Sequence, residues 1–326
     1  MSRVRVGIVA AGLAAAIVVG AAIGGHGRGR AWTCVSANSL RTLTQWQRVL
    51  RRPIDCAVAF TDAAPTWQTW ERPWIIGYRK NVPQYDWVDW YDHGHRGRHL
   101  IVTQSLIPSD LKGTDWVAEG ADGKYVPYAR ELAHNLVAAG MGSVVIRLAH
   151  EANGTWYPDS LPDTPTGDAQ WVEFWRKTVT AMRSVPGAHF RFDWCVNAGV
   201  RDISLSAFYP GNRYVDVIGV DAYDSLPSSA PGNRLRALLG EPDGLWAVQR
   251  FARAHGKPLS IPEWGIGPAG QGGAAGDDPS YVKAIVRTID RGDVLYQSYF
   301  TGGTEGPELL RAPRSLTVYR RAFAEH

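Results

Sequence analysis

The stretch that decides the fold is SVVIRLAHEANGTWY, residues 143–157. Apolar side chains occupy the even positions from Val144 to Leu148, whereas Arg147 and Glu151 occupy odd positions. Because side chains alternate across a strand, one face of a strand at 144–151 is apolar and the other carries both charged groups. A carboxylate at the C-terminal end of a buried strand is typical of an active site at the mouth of an α/β barrel. The alternative is a structural ion pair at a strand end, which needs no function.

Short apolar runs alternate with helical patterns along the rest of the chain. Strands are predicted at 32–36, 55–60, 99–105, 144–151, 190–197, 215–223, 258–263 and 294–300. Helices are predicted at 39–51, 125–139, 169–184, 245–255, 279–291 and 314–324. This order predicts an α/β fold, a (β/α)8 TIM barrel formed by a single catalytic domain of residues 31–326. A doubly wound sheet is the alternative, but no glycine-rich phosphate loop follows the first strand.

The N-terminal segment, residues 1–30, predicts export. Its arginines account for the formal net charge of +4, so the body of the chain is neutral and nucleic acid is not an expected partner. Arg3 and Arg5 precede an uncharged run to Gly25, which is a signal sequence or an N-terminal membrane anchor. We expect a secreted or anchored, monomeric protein that contacts membrane only through this segment. In such an oxidising compartment Cys34 and Cys56 can pair, while Cys195 is expected to be a buried thiol.

A second strand ends in a carboxylate in the same way. Residues 257–265 read KPLSIPEWG and place Glu263 at the end of the seventh strand, across the barrel mouth from Glu151. Two such carboxylates can act as nucleophile and acid/base, and the retaining mechanism needs them about 5–5.5 Å apart. Tyr223, at the end of the sixth strand, is expected to donate a hydrogen bond to Glu263 and keep it ionised.

Three motifs at these strand ends resemble glycoside hydrolase family 26, the β-mannanase family of clan A barrels. The motif on strand four is matched by Arg147, His150, Glu151, Asn153, Gly154 and Trp156. The motif on strand six is matched by Tyr209, Pro210, Gly211, Val215, Asp216, Val217, Ile218, Gly219, Asp221 and Tyr223. The motif on strand seven is matched by Lys257, Pro258, Glu263 and Gly265. The resemblance runs from about residue 31 to the end and is strongest over 143–265.

The resemblance implies Glu151 as acid/base and Glu263 as nucleophile. It implies His150 and Tyr223 as supporting residues and Trp156 as a platform on which a sugar stacks. The family often carries a tryptophan on strand eight, where this chain has Tyr296, Tyr299 and Phe300. The predicted substrate-binding residues are therefore His150, Trp156, Tyr223, Arg147, Trp264 and Tyr299.

Neither a metal nor a cofactor is expected, since two carboxylates and water suffice for this chemistry. The pair His150-Glu151 invites comparison with zinc proteases, but the second histidine of that motif is replaced by Gly154.

The predicted function is that of a retaining endo-glycosidase that hydrolyses a β-linked polysaccharide, with β-1,4-mannan as the first candidate. A β-1,3-1,4-glucanase or a xylanase on the same fold is one alternative. A catalytically silent carbohydrate-binding barrel is the other, because a fold alone does not establish an activity.

Overall fold

The computed structural model describes residues 30–77, 82–92, 97–200, 203–224, 238–240, 243–267, 276–301 and 308–324. The predicted signal sequence or anchor therefore lies outside the described residues, apart from Arg30. Within the described ranges, no helix combines the length and the apolar character that crossing a membrane requires.

Eight parallel strands close into a barrel in the order of the sequence, and β1 pairs with both β2 and β8. They are β1 Trp32–Ser36, β2 Cys56–Phe60, β3 His99–Gln104, β4 Val145–Leu148, β5 Arg191–Asn197, β6 Val217–Asp224, β7 Leu259–Ile266 and β8 Val294–Tyr299. The predicted (β/α)8 barrel is confirmed, and β4 and β7 are the strands that lead to Glu151 and Glu263.

The helices lie outside the strands and cover the barrel. They are α1 Leu40–Leu50, α2 Trp67–Glu71, α3 Trp74–Gly77, α4 Trp87–Tyr91, α5 Trp116–Asp122, α6 Val126–Ala138, α7 Pro165–Arg183, α8 Leu245–Ala254, α9 Pro279–Arg291 and α10 Pro313–Phe323. Local chemistry sets several helix starts: the side chains of Ser39, Thr164 and Asp278 each accept a backbone N–H of the first turn of α1, α7 and α9.

The tryptophan-rich segment that follows β2 is not an open loop. It forms α2, α3 and α4, and its aromatic side chains pack in the hydrophobic core: Trp67, Trp70, Trp74, Trp87, Trp90 and Tyr91. Trp70 is buried and its indole N–H donates to the carbonyl of Ser105 at 2.9 Å. These rings stabilise the packing of the helices on the barrel.

The N-terminal end of the barrel interior is closed by an apolar cluster. Cys34 and Cys56 are opposite each other on β1 and β2, form a disulfide, and pack with Val58, Ile101, Val145 and Tyr296. The neighbouring positions of these strands, such as Val35 and Ile146, belong to the core between strands and helices. Cys195 is a buried free thiol, as the sequence predicts.

A polar layer lies above this apolar cluster. The buried carboxylate of Asp193 accepts hydrogen bonds from Ser260 Oγ at 2.6 Å and from Tyr296 at 2.5 Å. A Cβ atom at Gly219 would lie 2.7 Å from both Asp193 Oδ1 and Ser260 Oγ, so only glycine fits beside this layer. The interior thus changes from apolar to polar toward the C-terminal ends of the strands.

One extra residue in β7 sets the direction of Glu263. Between Ile261 and Trp264, β7 advances by one residue more than each neighbouring strand does. Such a bulge re-aims the side chains that follow it, and Pro262 at this place has no N–H to donate to the ladder. As a result Glu263 contacts side chains inside the barrel, whereas Trp264 packs in the core against the helices.

Candidate active site

Glu151 lies in a strained turn that follows the end of β4. The strand ends at Leu148, earlier than predicted, and Ala149 and Glu151 have φ angles of 50° and 53°. Residues other than glycine seldom adopt this left-handed backbone conformation, and such strain is concentrated at functional sites. Two backbone hydrogen bonds hold the turn, Ala149 N to Gln104 O at 2.8 Å and Glu151 N to Cys195 O at 2.9 Å. The position of Glu151 is therefore fixed by the neighbouring strands.

Two side chains donate to the carboxylate of Glu151. Asn197 Nδ2 lies 2.5 Å from Oε1, and Trp156 Nε1 lies 2.7 Å from Oε2. Asn197 is itself held by Asn153, whose amide accepts from Asn197 N and donates to Asn197 O, both at 2.8 Å. Burial, and then the charge of Glu263, raise the pKa of Glu151 above its ordinary value. A glutamic acid with a raised pKa can donate a proton near neutral pH.

Trp156 can lie over Glu151 because residue 154 is a glycine and has no side chain. A Cβ atom at Gly154 would lie 2.5 Å from the indole ring of Trp156, so a larger residue would displace the ring. Trp156 is 47% exposed although it is hydrogen-bonded to Glu151. An exposed indole beside a candidate acid/base offers a flat apolar surface for a sugar ring.

Two side chains donate to the carboxylate of Glu263. Arg147 Nη1 lies 2.5 Å from Oε1, and the hydroxyl of Tyr223 lies 2.6 Å from Oε2. The second guanidinium nitrogen of Arg147 donates to the buried carboxylate of Asp221. The predicted hydrogen bond from Tyr223 is confirmed. A carboxylate that accepts from an arginine and a phenol is stabilised in its ionised form.

The carboxylates converge at the mouth of the barrel. One oxygen each of Glu151, Asp221 and Glu263 lie within 4.8 Å of one another. This spacing is close to the separation of about 5–5.5 Å that a retaining glycosidase uses. The three carboxylates are also the described residues whose geometry would suit a metal ion. Arg147, however, already supplies a buried positive charge to two of them.

His150 is a buried neutral side chain beside the site. Its Nε2 has no hydrogen-bond partner, and burial, followed by the charge of Arg147, lowers its pKa well below the ordinary value. Its ring lies 4.2 Å from the ring of Tyr157 and 6.2 Å from that of Phe60, measured between centroids. The unpaired nitrogen is therefore a buried polar atom beside the carboxylates.

Three predicted substrate-binding residues are contradicted by their placement. Trp264 and Tyr299 pack on each other and on the helix residue Tyr319, behind the strands and away from the mouth. The exposed fraction is 0% for Trp264 and 1% for Tyr299. Arg147 is also fully buried, and it contacts Glu263 and Asp221 instead of a substrate. None of the three presents surface that a polysaccharide could touch.

Several site residues were not predicted from the sequence. Phe300, the residue after Tyr299, contacts Tyr223 with ring centroids 5.7 Å apart, so it is the aromatic side chain of β8 at the mouth. Asp62 follows β2, and burial raises the pKa of its carboxyl to about 6. Asn197 has a signal in the sequence, because a polar residue at the C-terminal end of a barrel strand is typical of a site residue.

The barrel and the paired carboxylates at its mouth fit one class of protein, the (β/α)8 glycoside hydrolases. Residues 125–257 match the sequence model of Glycosyl hydrolase family 26, and this match supports a glycoside hydrolase. The match includes Glu151 and Tyr223 and ends before Glu263.

Known proteins are similar to this chain in sequence and in fold. Endoglucanase H of Acetivibrio thermocellus is 24% identical over 214 residues, 62% of this chain; the chain spans only 22% of that protein's length. A modular endo-β-1,4-mannanase from Cellulomonas fimi has a TM-score of 0.63 at 20% identity, covering 88% of this chain and 70% of that one. An endo-β-1,4-mannanase catalytic domain from Bacillus sp. JAMB-750 has a TM-score of 0.64 at 17% identity, covering 90% and 86%.

Proposed function

We propose that this protein is a retaining endo-glycosidase that cleaves a β-linked polysaccharide, with Glu263 as nucleophile and Glu151 as acid/base. The observation that carries the proposal is the pairing of these two carboxylates, whose oxygens lie within 4.8 Å in unlike surroundings. Glu263 accepts from Arg147 and Tyr223, which favours the anion, whereas burial raises the pKa of Glu151, which favours the acid.

The proposed reaction follows from the different roles of these two carboxyl groups. Glu263 attacks the anomeric carbon while the bond to the leaving oxygen breaks, and Glu151 transfers its proton to that oxygen. Water then loses a proton to Glu151 and attacks the same carbon, which releases Glu263 and restores both carboxyl groups. Two displacements at one carbon retain its configuration.

β-1,4-Mannan is the first candidate substrate, and the supporting observation is the description of the structural neighbours as endo-β-1,4-mannanases. A β-glucan is the second candidate, because the curated relative is named an endoglucanase. Trp156 suits either substrate, since stacking on an indole requires a sugar face and not a particular hydroxyl.

The proposed site of action is outside the cytoplasm. The disulfide between Cys34 and Cys56 supports this location, because such bonds persist in oxidising compartments. Residues 1–30 would act as the signal sequence or anchor, and the protein would act as a monomer.

The test is hydrolysis of a panel of mannans, β-glucans and xylans by the full chain, beside Glu263→Gln, Glu151→Gln and the matched surface variant Glu173→Gln. We expect turnover of one glycan, loss of it in Glu263→Gln, and normal turnover in Glu173→Gln. Glu151→Gln should retain more activity on an aryl glycoside with a good leaving group, which needs no proton. Proton NMR of the first product should show a retained anomer. Normal turnover by Glu263→Gln, or an inverted product, would contradict the mechanism.

A folded wild-type chain that binds glycans without cleaving any would favour the silent barrel. The control for folding is the circular dichroism spectrum and the midpoint of urea unfolding, which the Gln variants should leave close to the wild type.

A further inference from the structure

A groove on the outer side of the barrel contains an exposed tryptophan. Trp246, in the first turn of α8, is 47% exposed. It lines a groove of about 440 Å³ between α8 and α9, together with Gln249, Arg253, Arg287 and Arg291. Among the described residues, Trp156 is the only other tryptophan with so much exposed surface, and it lies in the candidate active site.

The groove is positively charged. Arg253, Arg287 and Arg291 are exposed, and within the described part of the chain no ion pair involves them and no carboxylate lines the groove. One nitrogen of Arg253 donates to the carbonyl of Arg291 at 3.0 Å, which leaves its other donors open. Because the body of the chain has no net charge, three unpaired guanidinium groups are a local concentration of charge that favours an anionic partner.

The charges are arranged in a row. Arg287 and Arg291 are one turn apart on α9, so their side chains are neighbours about 5–6 Å apart at the Cβ atoms. Trp246 and Arg253 lie near opposite ends of α8, about 10 Å apart along the axis. Since a helix runs back along the strand before it, Trp246 lies at the end of the groove nearer the barrel mouth. The groove is therefore elongated, with a ring at one end and cations along it.

We propose that this groove binds an acidic polysaccharide whose pyranose units carry carboxylates, as uronic acids do. A sugar ring would stack on Trp246, and carboxylates of the following units would accept paired hydrogen bonds from Arg287 and Arg291. The mouth of the barrel would bind the same polymer less well, because the carboxyl groups of Glu151 and Glu263 lie there. The groove would thus hold the enzyme on an acidic glycan while the mouth acts on a neutral one.

The test is binding of the full chain to polygalacturonate, measured by titration calorimetry at low salt, with neutral mannan and vesicles of phosphatidylglycerol as comparisons. We expect polygalacturonate to bind, Trp246→Ala and the double variant Arg287→Gln/Arg291→Gln to weaken Kd at least tenfold, and added salt to weaken it as well. Arg130→Gln, an exposed arginine on α6, is the matched control and should bind as the wild type does.

Three results would overturn the proposal: no binding of polygalacturonate, binding that the groove variants leave unchanged, or binding of the vesicles alone. The last result would assign the groove to anionic lipid. Because binding is measured without turnover, the outcome does not depend on the proposed hydrolysis. If the protein does hydrolyse a neutral glycan, the groove variants should cleave short soluble substrates at the wild-type rate.

Discussion

Replacing Asn197 by alanine should change how Glu151 transfers its proton. The amide donates to Glu151 Oε1 at 2.5 Å, and this hydrogen bond stabilises the ionised carboxylate. A hydrogen bond to a charged group is worth about 1.5–3 kcal/mol, so its loss should raise the pKa of Glu151 by about 1–2 units. The backbone N–H and C=O of Asn197 would keep their bonds to Asn153, so the turn should stay in place.

The assay is the pH dependence of kcat/KM on an oligosaccharide and on an activated aryl glycoside. In Asn197→Ala, the alkaline limb of the profile should move up by about 1–2 pH units, as the raised pKa requires. On the oligosaccharide kcat should fall by about 10–100-fold, because one hydrogen bond no longer positions the acid. The aryl glycoside needs less acid catalysis and should lose less.

The matched control is Asn135→Ala on α6, whose amide donates to the backbone of Glu71 and lies away from the mouth. It should leave both limbs of the profile unchanged. If Asn197→Ala kept the wild-type alkaline limb and lost equal activity on both substrates, Asn197 would only support the fold, and the reasoning would be refuted.

Three further variants test the surrounding structure. Arg147→Met should lower the free energy of urea unfolding by about 3–5 kcal/mol and abolish turnover, because it leaves the carboxylate of Glu263 buried without its cation; an unchanged unfolding midpoint would contradict the ion pair. The double variant Cys34→Ala/Cys56→Ala should unfold about 3 kcal/mol more easily, the value for opening a loop of 22 residues, and a reductant should destabilise only the wild type. Burial raises the pKa of Asp159 to about 7, so the stability from its protonated form is present below about pH 4 and is lost as the pH rises through 7. Asp159→Asn should therefore gain a few kcal/mol over the wild type between pH 4 and pH 8 in urea unfolding, whereas a constant difference would show that Asp159 does not titrate in this range.

The barrel could be predicted well from the sequence because the same pattern, a short apolar strand next to a helical stretch, recurs along the chain. Each strand is a short apolar run between helical patterns, and the observed bounds of all eight strands lie within a few residues of the predicted ones. Glu151 and Glu263 were found because carboxylates at the ends of buried strands are rare.

The turn after β4 and the placement of the aromatic side chains depend on contacts between strands. The alternation of residues along a single strand does not predict these contacts. The left-handed turn at Ala149 arises from hydrogen bonds to neighbouring strands, so a regular strand to Glu151 was the wrong expectation. Trp264 and Tyr299 were assigned to the substrate from their place beside site residues, although adjacent residues of a strand face opposite sides. Which of Tyr299 and Phe300 faces the mouth depends on the register of β8, which only the folded barrel fixes.

The extra residue in β7 has a consequence for attempts to redesign this enzyme. Before it, odd-numbered residues such as Ile261 face the helices; after it, even-numbered residues such as Trp264 do. The orientation of Glu263 is therefore set by the number of residues in β7 relative to the neighbouring strands. Substitutions do not alter that number. Libraries of point mutants will leave Glu263 where it is, and deletion of Pro262 should also keep it in the interior, because Glu263 would then follow Ile261 in regular alternation.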